Sequence, residues 1–465
     1  MGQVLSKVLS SLGDESWSSM PWRHFNSTTA QARKMPTFLV IEWTYHVAAW
    51  ACLAHAARTG NVPMWLSSWI CGTANDAFMM FLPFVDNFWQ AQATVMLTPR
   101  MPLYIVEVYA TIIYLSSTAA RQFNLPILSE GALTGLLAHV LYGVYDINGP
   151  TYLWWTWHDA DLAISKRLAK APYGSSLWIL TYVASHQLLT RFCEFPSTSA
   201  SLASWLVTLL EKTKRVVPTA LAPWLEQAKR GKLVNFVARL QLLLKKAPWA
   251  IRIAFSGAVC TPMFMALMGV FQIFSFDKIG VPGKRTYVLT IATYLALTLQ
   301  GFKKAHASGA LYAPKGVAQV SANAKLLALV SAFYAANAAI AFKGDPTKHV
   351  STGCHQIFNE KSRKVKDIMG YLREDFLRGN GPERFSRHDY RLPSHGEHGE
   401  LDTAGEALIR PKPTYGSACE WYSVIGKKQN DRGAEQRTLL YMTGCGLVGF
   451  SLAFTNVFSR KVGSK

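Results

Sequence analysis

The feature that most constrains this chain is a set of long apolar runs recurring along its length. Nine of them read as candidate spans, at roughly 36–57, 63–85, 102–122, 126–147, 174–194, 250–275, 286–302, 323–342 and 438–458. Each comes near the ~20 residues a helix needs to cross a bilayer. In lipid, backbone N–H and C=O groups must be satisfied inside the protein, which favours helices for such runs. The expected fold is all-α: a polytopic transmembrane helix bundle of about nine spans. Eight to ten is the working range, because "TANDAFMMFLPFVDNFWQ" in the second run carries two aspartates. Composition agrees, since 50% of residues are apolar and 16% are charged, against about 25% charged in average soluble chains.

On this reading the chain divides into six parts. Residues 1–35 are an N-terminal tail without the apolar core of a cleaved signal peptide. Residues 36–195 hold the first five spans. Residues 196–248 carry short basic amphipathic patterns, such as "SWLVTLLEKTKR" and "VNFVARLQLLLKK", suited to helices lying on a membrane surface. Residues 249–343 hold three further spans, 344–436 form a polar extramembrane loop, and 437–465 give the last span with a basic tail.

The net charge of +20 resides in tails and loops, so the expected partners are membrane lipids, including anionic headgroups. No helix-turn-helix pattern, zinc-finger spacing or aromatic RNA platform is present, and no nucleic-acid partner is expected. The expected location is an integral membrane position; nothing in the sequence selects the membrane. Orientation signals oppose one another. The tail "SRKVGSK" favours the cytoplasmic side, which with nine spans places the N-terminus opposite, whereas "RKM" before the first span pulls that terminus inward. Gly2 in "MGQVLSK" fits a myristoylation pattern. Asn26 in "NST" is a glycosylation sequon, usable only from a lumenal tail. Of seven cysteines, Cys354 and Cys419 alone share the polar loop; they suit a disulfide in an oxidising compartment and free thiols in the cytosol.

Ionisable residues inside the spans carry the functional signal, because a charge at membrane depth is costly and usually faces a site within the bundle. Glu42 and His46 are four apart on one helical face. Asp76 lies in the second span and Glu107 in the third. His139, Tyr142 and Asp146 in "LAHVLYGVYDINGP" form one stripe, with Asn148, Gly149 and Pro150 expected to end the helix. Each residue alone also has a bland reading, a hydrogen bond to a neighbouring helix. Their concentration between 42 and 186, against few such groups in the later spans, points to a polar site in the first five helices.

The stretch "YLWWTWHDAD" follows directly. Trp154, Trp155 and Trp157 suit a membrane-interface anchor. His158 and Asp159, with His139, offer nitrogen and carboxylate ligands for a divalent metal such as zinc or iron, though no HExxH, HxxxH or ExxH spacing supports it.

The phrases "TANDAFMMFLPFVDNFWQAQ", "MLTPRMPLYI", "YGVYDINGPTYLWWTWHDAD" and "PYGSSLWILTY" resemble an uncharacterised family of multi-pass eukaryotic membrane proteins. The resemblance implies a membrane protein and supplies no reaction. At the level of architecture, acidic residues in short-looped helices are also similar to integral-membrane terpenoid cyclases. Three functions stand as expectations. The first is an intramembrane enzyme acting on a lipid, sterol or isoprenoid, with Glu42, Asp76, Glu107, His139 and Asp146 as acid–base groups and a metal at His139, His158 and Asp159 as one variant. The second is a proton- or ion-coupled transporter. The third is a membrane scaffold with the 344–436 loop as its partner surface.

Overall fold

The computed structural model describes residues 25–81, 88–98, 101–152, 154–157, 167–169, 171–194, 246–273, 283–312, 317–346, 350–352, 420–422 and 432–455. The expected sites at Gly2, His158, Asp159, Cys354 and Cys419 lie outside these residues, as does most of the 196–248 and 344–436 segments.

Each of the nine apolar runs is a long helix. After a short helix α1 (Thr28–Lys34), they are α2 (Pro36–Thr59), α3 (Val62–Phe81), α4 (Leu103–Arg121), α5 (Ile127–Thr151), α6 (Tyr173–Glu194), α7 (Trp249–Ile273), α8 (Lys284–Ala307), α9 (Val317–Lys343) and α10 (Arg432–Phe454). Local chemistry sets their ends. Ser27 Oγ accepts from Ala30 N at 3.2 Å to cap α1. Pro36 opens α2, where its missing N–H costs nothing. Gly60, at φ +70°, closes α2 in the left-handed conformation, and the next amide, Asn61 N, reaches Ala56 O at 2.7 Å. α5 runs past the expected stop at Asn148–Pro150 and ends at Thr151. Pro150 sits in its last turn, where one lost backbone bond is tolerated.

Five segments are long and apolar enough to cross a membrane: Pro36–Thr59, Leu103–Arg121, Ile127–Thr151, Val320–Lys343 and Arg432–Phe454. Outward faces bear large apolar side chains, among them Trp43 and Trp50 on α2, Leu299 on α8, and Tyr441 and Val448 on α10. A water-facing surface of that kind would be unusual, whereas lipid accepts it. α4 is the innermost span, 94% buried by protein along its apolar window. It packs between α2, α3 and α5; α5 in turn meets α6, α8 and α10, and α7 closes the side formed by α3 and α6.

Three two-stranded antiparallel pairs complete the described structure: β1 (Phe88–Gln90) with β2 (Trp155–Trp157), β3 (Arg167–Leu168) with β4 (Ala171–Pro172), and β5 (Val350–Thr352) with β6 (Glu420–Tyr422). The first corrects the reading of the tryptophans. Trp155 lies opposite Gln90, and Trp154 and Trp155 are 0% and 3% exposed rather than at a lipid interface. Trp154 Nε1 donates to Thr37 Oγ1 at 3.1 Å. The Trp155 ring lies 4.2 Å from that of Tyr145 and directly over Gly149, where a Cβ would collide with the indole. The tryptophans at 154 and 155 are thus core residues of the bundle end. Trp157 is in β2, opposite Phe88.

Candidate acid–base site

Near the start of α2 and α4, three of the intramembrane ionisable residues converge. These helices lie side by side, and their sequences place Glu42 and His46 on one face of α2 toward Glu107 of α4. His46 Nδ1 contacts Glu107 Oε2 directly. His46 Nε2 lies 3.6 Å from Glu42 Oε1, beyond hydrogen-bond reach, and this buried nitrogen has no hydrogen-bond partner. All three residues are buried: Glu42 at 0%, Glu107 at 1% and His46 at 8% exposure.

Glu42 accepts hydrogen bonds on both carboxylate oxygens. Its Oε1 accepts from Thr94 N at 2.8 Å and Thr94 Oγ1 at 2.6 Å, and its Oε2 accepts from Gln31 Nε2 at 3.1 Å. The loop carrying Thr94 is fixed in turn: Asn26 N donates to Thr94 O, and Asn26 Nδ2 donates to Ala93 O at 2.6 Å. The Asn26 amide that a glycan would occupy is therefore engaged inside the fold. The rings of His46 and Trp43 pack edge to face, and the Trp43 indole is half exposed on the outer face of α2.

Deeper among the helices, Asp76 of α3 is fully buried, with Tyr109 and Asn75 as its polar neighbours. α3 reaches α4 closely here, because Gly72 leaves room for Tyr109 against its Cα. Asp146 of α5 accepts from Ser175 Oγ at 2.8 Å. Tyrosines fill the space around these carboxylates. Tyr145 Oη donates to Tyr104 Oη at 3.2 Å, Tyr104 Oη donates to Gln90 Oε1 at 3.0 Å, and Tyr45 and Tyr142 pack edge-on against Tyr145.

His139 is not part of this arrangement. Its Nε2 meets Tyr287 Oη of α8 at 2.8 Å. Among the described residues, no group of three His, Cys, Asp or Glu side chains is placed to hold a metal ion; His158 and Asp159 lie outside them. The metal reading thus gains no geometric support from His139.

The sequence pointed to Glu42, His46 and Glu107 separately, and helical spacing linked the first two. It gave no sign of the third contact, nor of Gln31 and Thr94, which hold Glu42 from a tail and a loop. The tyrosines were visible as aromatic content without a position. No curated protein and no solved structure matches the chain. Residues 21–198, which hold the first five long helices and every residue of this site, match the family described as Domain of unknown function (DUF7802), an uncharacterised family to which this part of the chain is similar.

Proposed function

We propose that the chain is a multi-pass membrane enzyme that performs acid–base chemistry on a lipid-soluble substrate of the lipid, sterol or isoprenoid class. The observation that carries this reading is His46: its Nδ1 is committed to Glu107 while its buried Nε2 has no hydrogen-bond partner. With Nδ1 committed to Glu107, Nε2 is the nitrogen left to exchange a proton with a substrate, as a general acid or base must. Proton uptake at Nε2 creates an imidazolium flanked by Glu107 and Glu42, both of which stabilise it without moving. Glu107 then orients the ring, and Glu42 is held beside Nε2 by Thr94 and Gln31. Trp43 and the apolar outer face of α2 give an entry for a substrate dissolved in the bilayer.

The test is turnover in lipid. Protein in nanodiscs is incubated with fractionated cellular lipids and the mixture compared by mass spectrometry with a His46→Gln protein. The expected result is one lipid converted by the native chain and slowed at least ~100-fold by the substitution. Equal conversion by both, or none by either, defeats the proposal.

A second reading, proton- or ion-coupled transport, draws on Asp76, a fully buried carboxylate beside Tyr109 and Asn75. pH-dependent uptake into liposomes with no product formed, abolished by Asp76→Asn, would select it over the enzyme.

A further inference from the structure

Positive charge is not shared evenly between the two ends of the bundle. The end remote from the acid–base site is built from the last turns of α2, α4, α6 and α8 and the first turns of α3, α5, α7 and α9. Side-chain contacts tie these turns together. His55 of α2 and Gln122, just beyond α4, both meet Asn323 of α9. Arg121 of α4 pairs with Glu194 of α6 and touches Met64 of α3, while Phe302 of α8 packs on Phe123. Cys193 of α6 and Ile253 of α7 share one apolar cluster. α10 ends here too. It runs antiparallel to α5, with Met442 against Gly143 and Gly449 against Leu137.

The carboxylates of Glu130 and Glu194 at this end are already matched by arginines. Glu130 is clamped by Arg191 Nε and Nη2 at 2.6 and 2.7 Å, and Glu194 is shared by Arg121 and Arg191. Other cations here have no such match. Arg58, Lys246, Lys303, Lys304 and Lys325 are exposed, and none forms an ion pair among the described residues. Trp249, exposed three residues after Lys246, is the kind of side chain that settles at a headgroup layer.

The connecting segments carry the same bias. Residues 195–248 leave α6 and enter α7 at this end, with nine lysines and arginines against two glutamates, Glu211 and Glu226. Residues 344–431 join α9 to α10 at the other end, and there fourteen lysines and arginines meet thirteen acidic residues. A basic excess in connections shorter than ~60 residues marks the cytoplasmic side of a membrane.

We propose that this end of the bundle is a docking surface for anionic phospholipid headgroups and lies in the cytoplasmic leaflet. The lipids supply the negative charge that the protein withholds there. Long basic side chains at helix ends suit the task, because their stems lie along apolar surface while their charges reach the headgroups. The surface does not depend on the acid–base reading. It does set where that site lies: at the opposite end, in the leaflet facing away from the cytoplasm.

The test uses the full chain. Delipidated protein in neutral detergent is mixed with equal amounts of phosphatidylserine and phosphatidylcholine, and the lipid retained after gel filtration is identified by mass spectrometry. Phosphatidylserine should be retained in excess, and the excess should shrink as salt is raised, because exposed charges are screened. Arg58→Gln, Lys303→Gln and Lys304→Gln combined should lower the preference about tenfold or more. These side chains are exposed and unpaired, so the triple variant should fold. Lys284→Gln with Arg285→Gln, exposed at the other end of α8, is the matched control and should leave the preference unchanged. Equal retention of the two lipids, or a triple variant no weaker than the control, overturns the docking surface. A tag after residue 465 decides the leaflet. In sealed microsomes, whose cytoplasmic face is outward, protease should remove that tag without detergent, and its protection overturns the placement.

Discussion

At the scale of single residues, the acid–base site turns on one contact the sequence did not announce. Glu42 and His46 are readable as a pair because four residues make just over one helical turn. Glu107 lies 61 residues from His46, and only the packing of α4 on α2 brings them together. Such a buried, hydrogen-bonded pair should couple in stability as well as in chemistry. Removing either partner leaves the other desolvated and alone, which typically costs ~3–5 kcal/mol in proteins. A double-mutant cycle of His46→Gln and Glu107→Gln, measured by denaturant unfolding in detergent, should therefore give a coupling of ~1–3 kcal/mol. Additive effects would mean that the two groups ignore each other and would remove the basis for Nε2 as the proton-transfer atom. Trp154 and Trp155 teach the converse lesson. A cluster of tryptophans after an apolar helix reads the same whether it meets headgroups or a strand. The partner strand, Phe88–Gln90, lies more than sixty residues upstream and carries no pattern that points to it.

At the scale of elements, the positions of the long helices were legible and their neighbours were not. Apolar runs bounded by Pro, Gly and basic residues define where a helix begins and ends, as Pro36 and Gly60 do for α2. They say nothing of which face meets which helix. The docking of α10 shows how that is decided. Its first residue, Arg432, sends Nη2 to three acceptors: Tyr152 Oη at 2.8 Å, Ala341 O at 3.0 Å and Gly344 O at 2.7 Å. This one side chain ties α10 to the ends of α5 and α9. Burial pushes the Tyr152 phenol up to about 12, with the Arg432 charge acting the other way. The phenol thus stays protonated at neutral pH and donates to Ile340 O at 2.7 Å. Arg432→Ala should cost ~3 kcal/mol, because hydrogen bonds from a charged donor are lost and carbonyls near the helix end are left unpaired. Arg432→Lys should recover part of this, since all three contacts come from one nitrogen and an ammonium carries three donors, though on a shorter side chain. Limited proteolysis in detergent is the readout: α10 should be released sooner in the alanine protein. Equal protection in all three proteins would show that apolar packing alone holds α10.

At the scale of the whole molecule, the number of crossings depends on which of the nine long helices among the described residues meet lipid. Five qualify by length and apolarity alone. Average apolarity undercounts spans that are shielded by protein, because a polar side chain facing another helix does not meet lipid. α3 is such a case: Ser67, Ser68 and Asp76 are each 0% exposed, and Ser67 Oγ pairs with His186 of α6 at 2.9 Å and with Ser256 of α7 at 3.0 Å. α8 likewise turns Thr286, Thr290 and Thr298 inward while Val288, Leu295 and Leu299 face out. With lengths of 20 to 25 residues, α3, α6, α7 and α8 can each bridge a hydrocarbon core of about 30 Å, at ~1.5 Å per residue. We therefore expect nine crossings. An odd number has one unavoidable consequence: the two ends of the chain emerge on opposite sides. Tags placed at residues 1 and 465 and digested in sealed vesicles should then be protected reciprocally, one lost from outside and the other only after permeabilisation. If both tags are lost together, the count is even, as when one of α3, α6, α7 and α8 does not cross.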